Sequence, residues 1–124
     1  GYEAISITGK LAWYEQPSTA TNLWTEHIIA NTVGPMSIDV ADLDGDGDLD
    51  VVVGEHNLSN PASAKLLVFQ NTNRVGTSWT SSTVYTGDEH HDGAQLRDID
   101  NDGDLDILSI GWEHSKVLLY ENRK

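Results

Sequence analysis

The chain has 124 residues, 38% hydrophobic and 22% charged, with no cysteine and a formal net charge of −13. That balance suits one packed domain and excludes disulfides, thiolate metal sites and cysteine nucleophiles. The acidic excess argues against nucleic acid and anionic membrane surfaces as partners. No apolar run approaches the roughly 18 residues that insertion in a membrane as a helix needs.

The chain opens on Gly1 with no basic start followed by an apolar stretch, so it reads as a mature or excised form. Short β-branched segments bounded by Gly, Asn, Asp or Ser follow one another, and no segment keeps a helical period. They predict ten strands, near 3–8, 10–15, 24–29, 36–42, 49–54, 65–70, 79–85, 93–98, 105–110 and 116–121. Two loops between them hold half of the 20 acidic residues. The first carries Asp42, Asp44, Asp46, Asp48 and Asp50, and the second Asp98, Asp100, Asp102, Asp104 and Asp106.

The chain repeats itself. Val40–Gly54 aligns with Leu96–Ile110, an offset of 56 residues at the Asp positions. Lys65-Leu-Leu-Val-Phe-Gln-Asn71 resembles Lys116-Val-Leu-Leu-Tyr-Glu-Asn122 and Lys10-Leu-Ala-Trp-Tyr-Glu-Gln16. Trp24-Thr and Trp79-Thr begin matching segments, and repetition with the unit suggests packing between units. A self-similar period of this length, filled with strands, predicts an all-β propeller built from four-stranded antiparallel sheets. About two and a half blades are present: a partial blade at 1–30, a full blade at 35–86 and a partial blade at 91–122. A closed ring usually has four to eight blades, so the chain reads as a fragment of a larger propeller, with self-association through open blade edges expected.

The Asp loops carry the chemistry. Calcium takes six to eight hard oxygen ligands, and carboxylates at every second position of a sharply turning loop supply them. The expected side-chain ligands are Asp42, Asp44, Asp46 and Asp50, with the carbonyl of Asp48, and the turn falls at Gly47. In the second loop they are Asp98, Asp100, Asp102 and Asp106, with the carbonyl of Asp104 and the turn at Gly103. Two calcium ions are therefore the expected cofactors. The start of each loop fits the pattern D-x-[DN]-x-[DN]-G, but Asp at the ninth position closes the loop into a strand, unlike an EF-hand.

These loops resemble the calcium loops of FG-GAP repeats, also called VCBS repeats, which are similar to the blades of the integrin α-subunit propeller. The resemblance spans nearly the whole chain. It implies a seven-bladed, sometimes six- or eight-bladed, parent propeller with calcium at the loop joining the first and second strands of a blade. The Phe-Gly and Gly-Ala-Pro signatures of the integrin form are absent, so integrin-like protein adhesion is not implied. The closer likeness is to bacterial secreted or surface proteins. Some fungal lectins and polysaccharide-degrading enzymes carry similar propellers, which keeps glycans in view.

Strand polarity puts a second cluster on the face opposite the Asp loops: Glu55-His56-Asn57, Glu89-His90-His91-Asp92 and Trp112-Glu113-His114. The candidate ligand-binding residues there are His56, His90, His91, Asp92, Trp112 and His114. Trp112 with His and Asp is suited to stack on and hydrogen-bond a sugar, the imidazoles to bind a transition metal, and a His beside an acid to transfer a proton. The same residues equally suit pinning of blade junctions. Three readings follow: a calcium-braced extracellular or cell-surface module binding a glycan or protein, the preferred one; a propeller domain of a secreted polysaccharide-degrading enzyme; and a purely structural repeat. No catalytic residue is assigned.

Overall fold

A computed structural model describes residues 7–123. The chain forms β1 (Thr8–Glu15), β2 (Thr25–Val33), β3 (Pro35–Ala41), β4 (Asp50–Glu55), β5 (Lys65–Asn71), β6 (Trp79–Thr86), β7 (Gln95–Arg97), β8 (Asp106–Ile110) and β9 (Val117–Tyr120). They group into three antiparallel sheets, β1-β2, β3-β4-β5-β6 and β7-β8-β9. Among the described residues no helix is long and apolar enough to cross a membrane. The architecture is all-β and of propeller-blade type, and the middle sheet has all four strands in meander order.

The repeat seen in sequence is a repeat in backbone. The third-strand segments β1 and β5 both carry a bulge one residue after their Lys, between Leu11 and Ala12 and between Leu66 and Leu67. Bulges re-aim side chains and increase twist, so the equivalent position bends both sheets alike.

The apolar run Val51-Val52-Val53 has a physical reason. Every residue of β4 is buried. Val51 and Val53 point to one side, where they pack with Leu11, Leu67 and Phe69, with Ile29, Ala30 and Trp79 around them. Val52 points to the other side, where it packs with Leu66, Ala94, Leu96 and Ile107. The middle sheet is thus covered on both faces by its neighbours, and a strand with no solvent face reads as a continuous apolar run. Where cover is missing, apolar residues face water: Ile38 is 56% exposed and Val117 70%.

Some boundaries differ from those expected. Of the segment 3–8, residues 3–6 lie outside the described residues, and Thr8 begins β1. β2 runs on to Val33, because it stays paired with β1 as far as Thr8. β7 covers only three residues of the expected 93–98. Its entry is pressed against β8, since a Cβ on Gly93 would lie 3.0 Å from the Ile110 nitrogen. The long connection after β4 contains a 3-10 turn at Pro61–Ser63, started by proline.

Leu66 is fully buried in the second junction. Leu66→Ala should therefore cost about 2–5 kcal/mol in urea denaturation, whereas Ile38→Ala, more than half exposed, should change stability by less than about 0.5 kcal/mol.

Candidate metal centre

Each Asp-rich loop joins the first strand of a sheet to the second. Asp50 heads β4 and is 1% exposed, and Asp106 heads β8 and is 2% exposed. Their carboxylates do the same work. Asp50 accepts the N–H of Leu43 at 2.9 Å and that of Asn71 at 2.9 Å. Asp106 accepts the N–H of Ile99 at 3.0 Å and that of Asn122 at 2.9 Å. Each ties the start of its loop to the end of the third strand. Burial pushes the Asp50 carboxyl up, against the pull of the Asn71 and Leu43 N–H groups; Asp44 and Asp46 push it further.

Within the first loop, Asp42 accepts from Gly45, Asp46 and Gly47, Asp44 from Asp46, and Asp46 from Asp48. In the second, Asp98 accepts from Gly103, Asp100 from Asp102, and Asp102 from Asp104. The turns expected at Gly47 and Gly103 are present, with φ of 93° and 97°. Each loop also has an earlier left-handed residue, Gly45 (φ 76°) and Asn101 (φ 64°). Sequence reading passed over that turn, although Gly and Asn are the residues that tolerate it.

The chemistry of the donor set fits calcium. In each loop three carboxylate oxygens, from Asp42, Asp44 and Asp50 or from Asp98, Asp100 and Asp106, lie within 4.8 Å of one another. Clustered hard carboxylate oxygens in a turning loop are the kind of donors that calcium takes. Asp46 and Asp102 stand outside these triads. Asp48, expected to offer its carbonyl, also buries its side chain: it is 7% exposed and one carboxylate oxygen has no partner among the described residues.

The register puts Glu55 at the opposite end of β4 from Asp50, so the second cluster does lie on the other face. There the carboxylates act as pins. Glu89 is fully buried and accepts from His56 Nδ1 at 2.5 Å, from the N–H groups of His91 and Glu113 at 3.0 Å each, and from the N–H of Trp112. Burial pushes its carboxyl up, but His56 and the Glu113 and Trp112 N–H groups outweigh that and hold it below the usual range. Glu55 takes the N–H of Val33 and of Lys65. The rings of His56 and His91 are 4.4 Å apart, those of His91 and Trp112 6.0 Å, and Asp92 holds His91 Nδ1 at 2.6 Å. His114 Nε2 lies 3.0 Å from the Glu89 carbonyl oxygen. His90 is buried against Ser109 and, at the rings, Tyr85 and Tyr120, and its Nε2 has no partner among the described residues. Burial pushes the His90 pKa down and raises that of Tyr120 to about 12. Among the described residues, three metal-ligating atoms converge only in the Asp loops and not in this histidine cluster.

The structure adds residues that sequence reading missed. Asp39 accepts the N–H of Leu96, and Ser37 donates to the carbonyl of His90, linking the middle and third sheets. Arg74 sits over the first Asp loop. Trp79 packs at the first junction as expected, but Trp24 is 47% exposed.

Residues 4–53 match the FG-GAP-like repeat model and residues 34–75 the FG-GAP repeat model, and both matches contain the first Asp loop. This is an FG-GAP repeat protein. Its second Asp loop repeats the first in spacing and in most of its backbone N–H to carboxylate bonds, although among the described residues Asp98 takes only the Gly103 N–H where Asp42 takes three. Comparison with curated proteins and with solved structures gave no significant match. The FG-GAP chain is a propeller-type repeat module with acidic clusters at equivalent positions.

Glu89→Gln should cost roughly 2–3 kcal/mol, since a charged acceptor of buried donors is replaced by a group half of which must donate. The pH dependence has a defined sign. His90 and Glu89 both bind protons less readily when folded than at their ordinary values of 6.5 and 4.5. Their stabilisation is complete above those values and is lost as pH falls toward the folded pKa of each. Denaturation in urea should show His90→Asn removing the portion of this loss that begins near pH 6.5.

Proposed function

We propose that this FG-GAP protein is a calcium-braced propeller module that works outside the cell or at its surface, binding a glycan or protein ligand. The observation that carries the reading is the duplicated carboxylate triad, three oxygens within 4.8 Å in each of two equivalent loops. Calcium would neutralise carboxylates that otherwise repel by about 1 kcal/mol per pair 4 Å apart in water and about 4 kcal/mol at an effective dielectric of 20. Asp42, Asp44 and Asp50 would hold one ion, and Asp98, Asp100 and Asp106 the other. The role is structural, because Asp50 and Asp106 already knit loop to sheet. Sites of the extracellular kind bind at about 10⁻⁴–10⁻³ M and fill where calcium is plentiful, which supports secretion or surface display.

For the ligand, Trp112 supplies the support. It is 71% exposed beside His91, and Asp92 steadies His91 from the next position. An exposed indole flanked by polar groups suits stacking on a sugar ring. Glu89, with every described donor around it engaged, is a scaffold for this loop and not a free base, which favours binding over catalysis.

A thermal melt with calcium, with magnesium and with a chelator tests the metal. Saturation at 100 times the dissociation constant adds about 2.7 kcal/mol per site, so calcium alone should raise the midpoint by several degrees. An unchanged melt in chelator would sink the calcium reading. For the ligand, a glycan array followed by titration should show quenching of Trp112 emission that Trp112→Ala abolishes without changing the melt.

A further inference from the structure

The two loops have unlike surroundings. Arg74 donates from Nη2 to the carbonyl of Asp46 at 2.8 Å, and its Nε lies 3.6 Å from a carboxylate oxygen of Asp48. The Arg74 backbone is held at φ 61°, in a turn whose Asn73 side chain accepts the N–H groups of Val75 and Thr77. Gln70 donates from Nε2 to Asp44 at 3.1 Å. In the second loop, Glu121 stands where Gln70 does, one residue before the Asn whose N–H reaches the buried Asp. The two arginines nearest that loop in sequence bond elsewhere: Arg97 to the carbonyl of Leu96 and Arg123 to Glu121. Among the described residues no cation forms an ion pair with Asp98, Asp100, Asp102, Asp104 or Asp106.

From this asymmetry we infer that Arg74 is a built-in counter-ion of the first loop, so that the two loops bind calcium unequally, the Asp98–Asp106 loop more tightly. The inference rests on the calcium reading above. Arg74 engages the outer half of its loop, the Asp46 carbonyl and the Asp48 carboxylate. Asp42, Asp44 and Asp50 take N–H groups and, at Asp44, Gln70, while the bonds of Arg74 go to Asp46 and Asp48. The guanidinium and the ion therefore do not compete for the same oxygens. They oppose each other through their charges, while the guanidinium and Gln70 brace the loop before any ion arrives. The second loop has carboxylate repulsion without such relief and gains more from a divalent cation. The arginine side chain is 73% exposed, so the opposition is screened by salt.

Calorimetric calcium titration of the full chain tests this, with Asp44→Asn and Asp100→Asn assigning each step to its loop. The expected result is two steps, the tighter one lost in Asp100→Asn. Arg74→Gln, which keeps a donor but removes the charge, should tighten the weaker step roughly three- to tenfold at low ionic strength, and the gain should vanish at high salt. The same variant should lower the melting midpoint in chelator, which a purely passive surface arginine would not do. Two equal steps, or a weaker step indifferent to Arg74→Gln, would overturn the inference while leaving calcium binding intact. Failure to detect any step would overturn the calcium reading and this inference with it.

Discussion

The carboxylates of Asp50 and Asp106 sit where loop, second strand and third strand meet. Each is almost fully buried and each takes two backbone N–H groups that no sheet ladder satisfies. A buried polar group is tolerable only when its partners are in place. The position of either Asp therefore dictates how its loop starts and where the neighbouring strand ends. The remaining loop carboxylates are arranged around that fixed point, and two of them converge on it in both loops. Structure and candidate ion chemistry share one residue in each repeat.

The opposite face follows the same logic with a different residue. Glu89 gathers His56 and the N–H groups of three other residues into one buried knot. Glu55 joins the end of β2 to the start of β5. Both carboxylates are engaged as fastenings between segments. That face leaves Asp92, Glu113 and, most prominently, Trp112 accessible, Trp112 being carried on the loop that Glu89 holds.

How much of this was legible in the sequence depended on period. The 56-residue offset located both Asp loops, and the Lys-Leu-Leu-Val-Phe type segments located third strands, because the same packing problem recurs in each blade. The ninth-position Asp and the turns at Gly47 and Gly103 were also readable. Contacts between segments distant in sequence were not. Asp39 reaching Leu96, Ser37 reaching His90 and Arg74 reaching Asp46 join positions 28 to 57 residues apart, and no local pattern announces them. The difference between Gln70 and Glu121 was visible in the aligned repeats, but its meaning needed the loop's neighbours. Burial of His56 and His90 was likewise hidden, since a histidine beside acids looks the same in a sequence whether it faces a ligand or a core.

The double-sided burial of β4 carries a consequence for alignment. In a strand with one wet face, a slip of a single residue throws apolar side chains into water, and the pattern itself forbids the slip. Val51, Val52 and Val53 offer no such protection, because valine suits both faces. What fixes this strand is the pair of acids at its ends, Asp50 and Glu55, each with two N–H groups waiting at one place only. The acidic residues thus act as end-stops, and the valines between them are interchangeable filling whose alignment is set from outside.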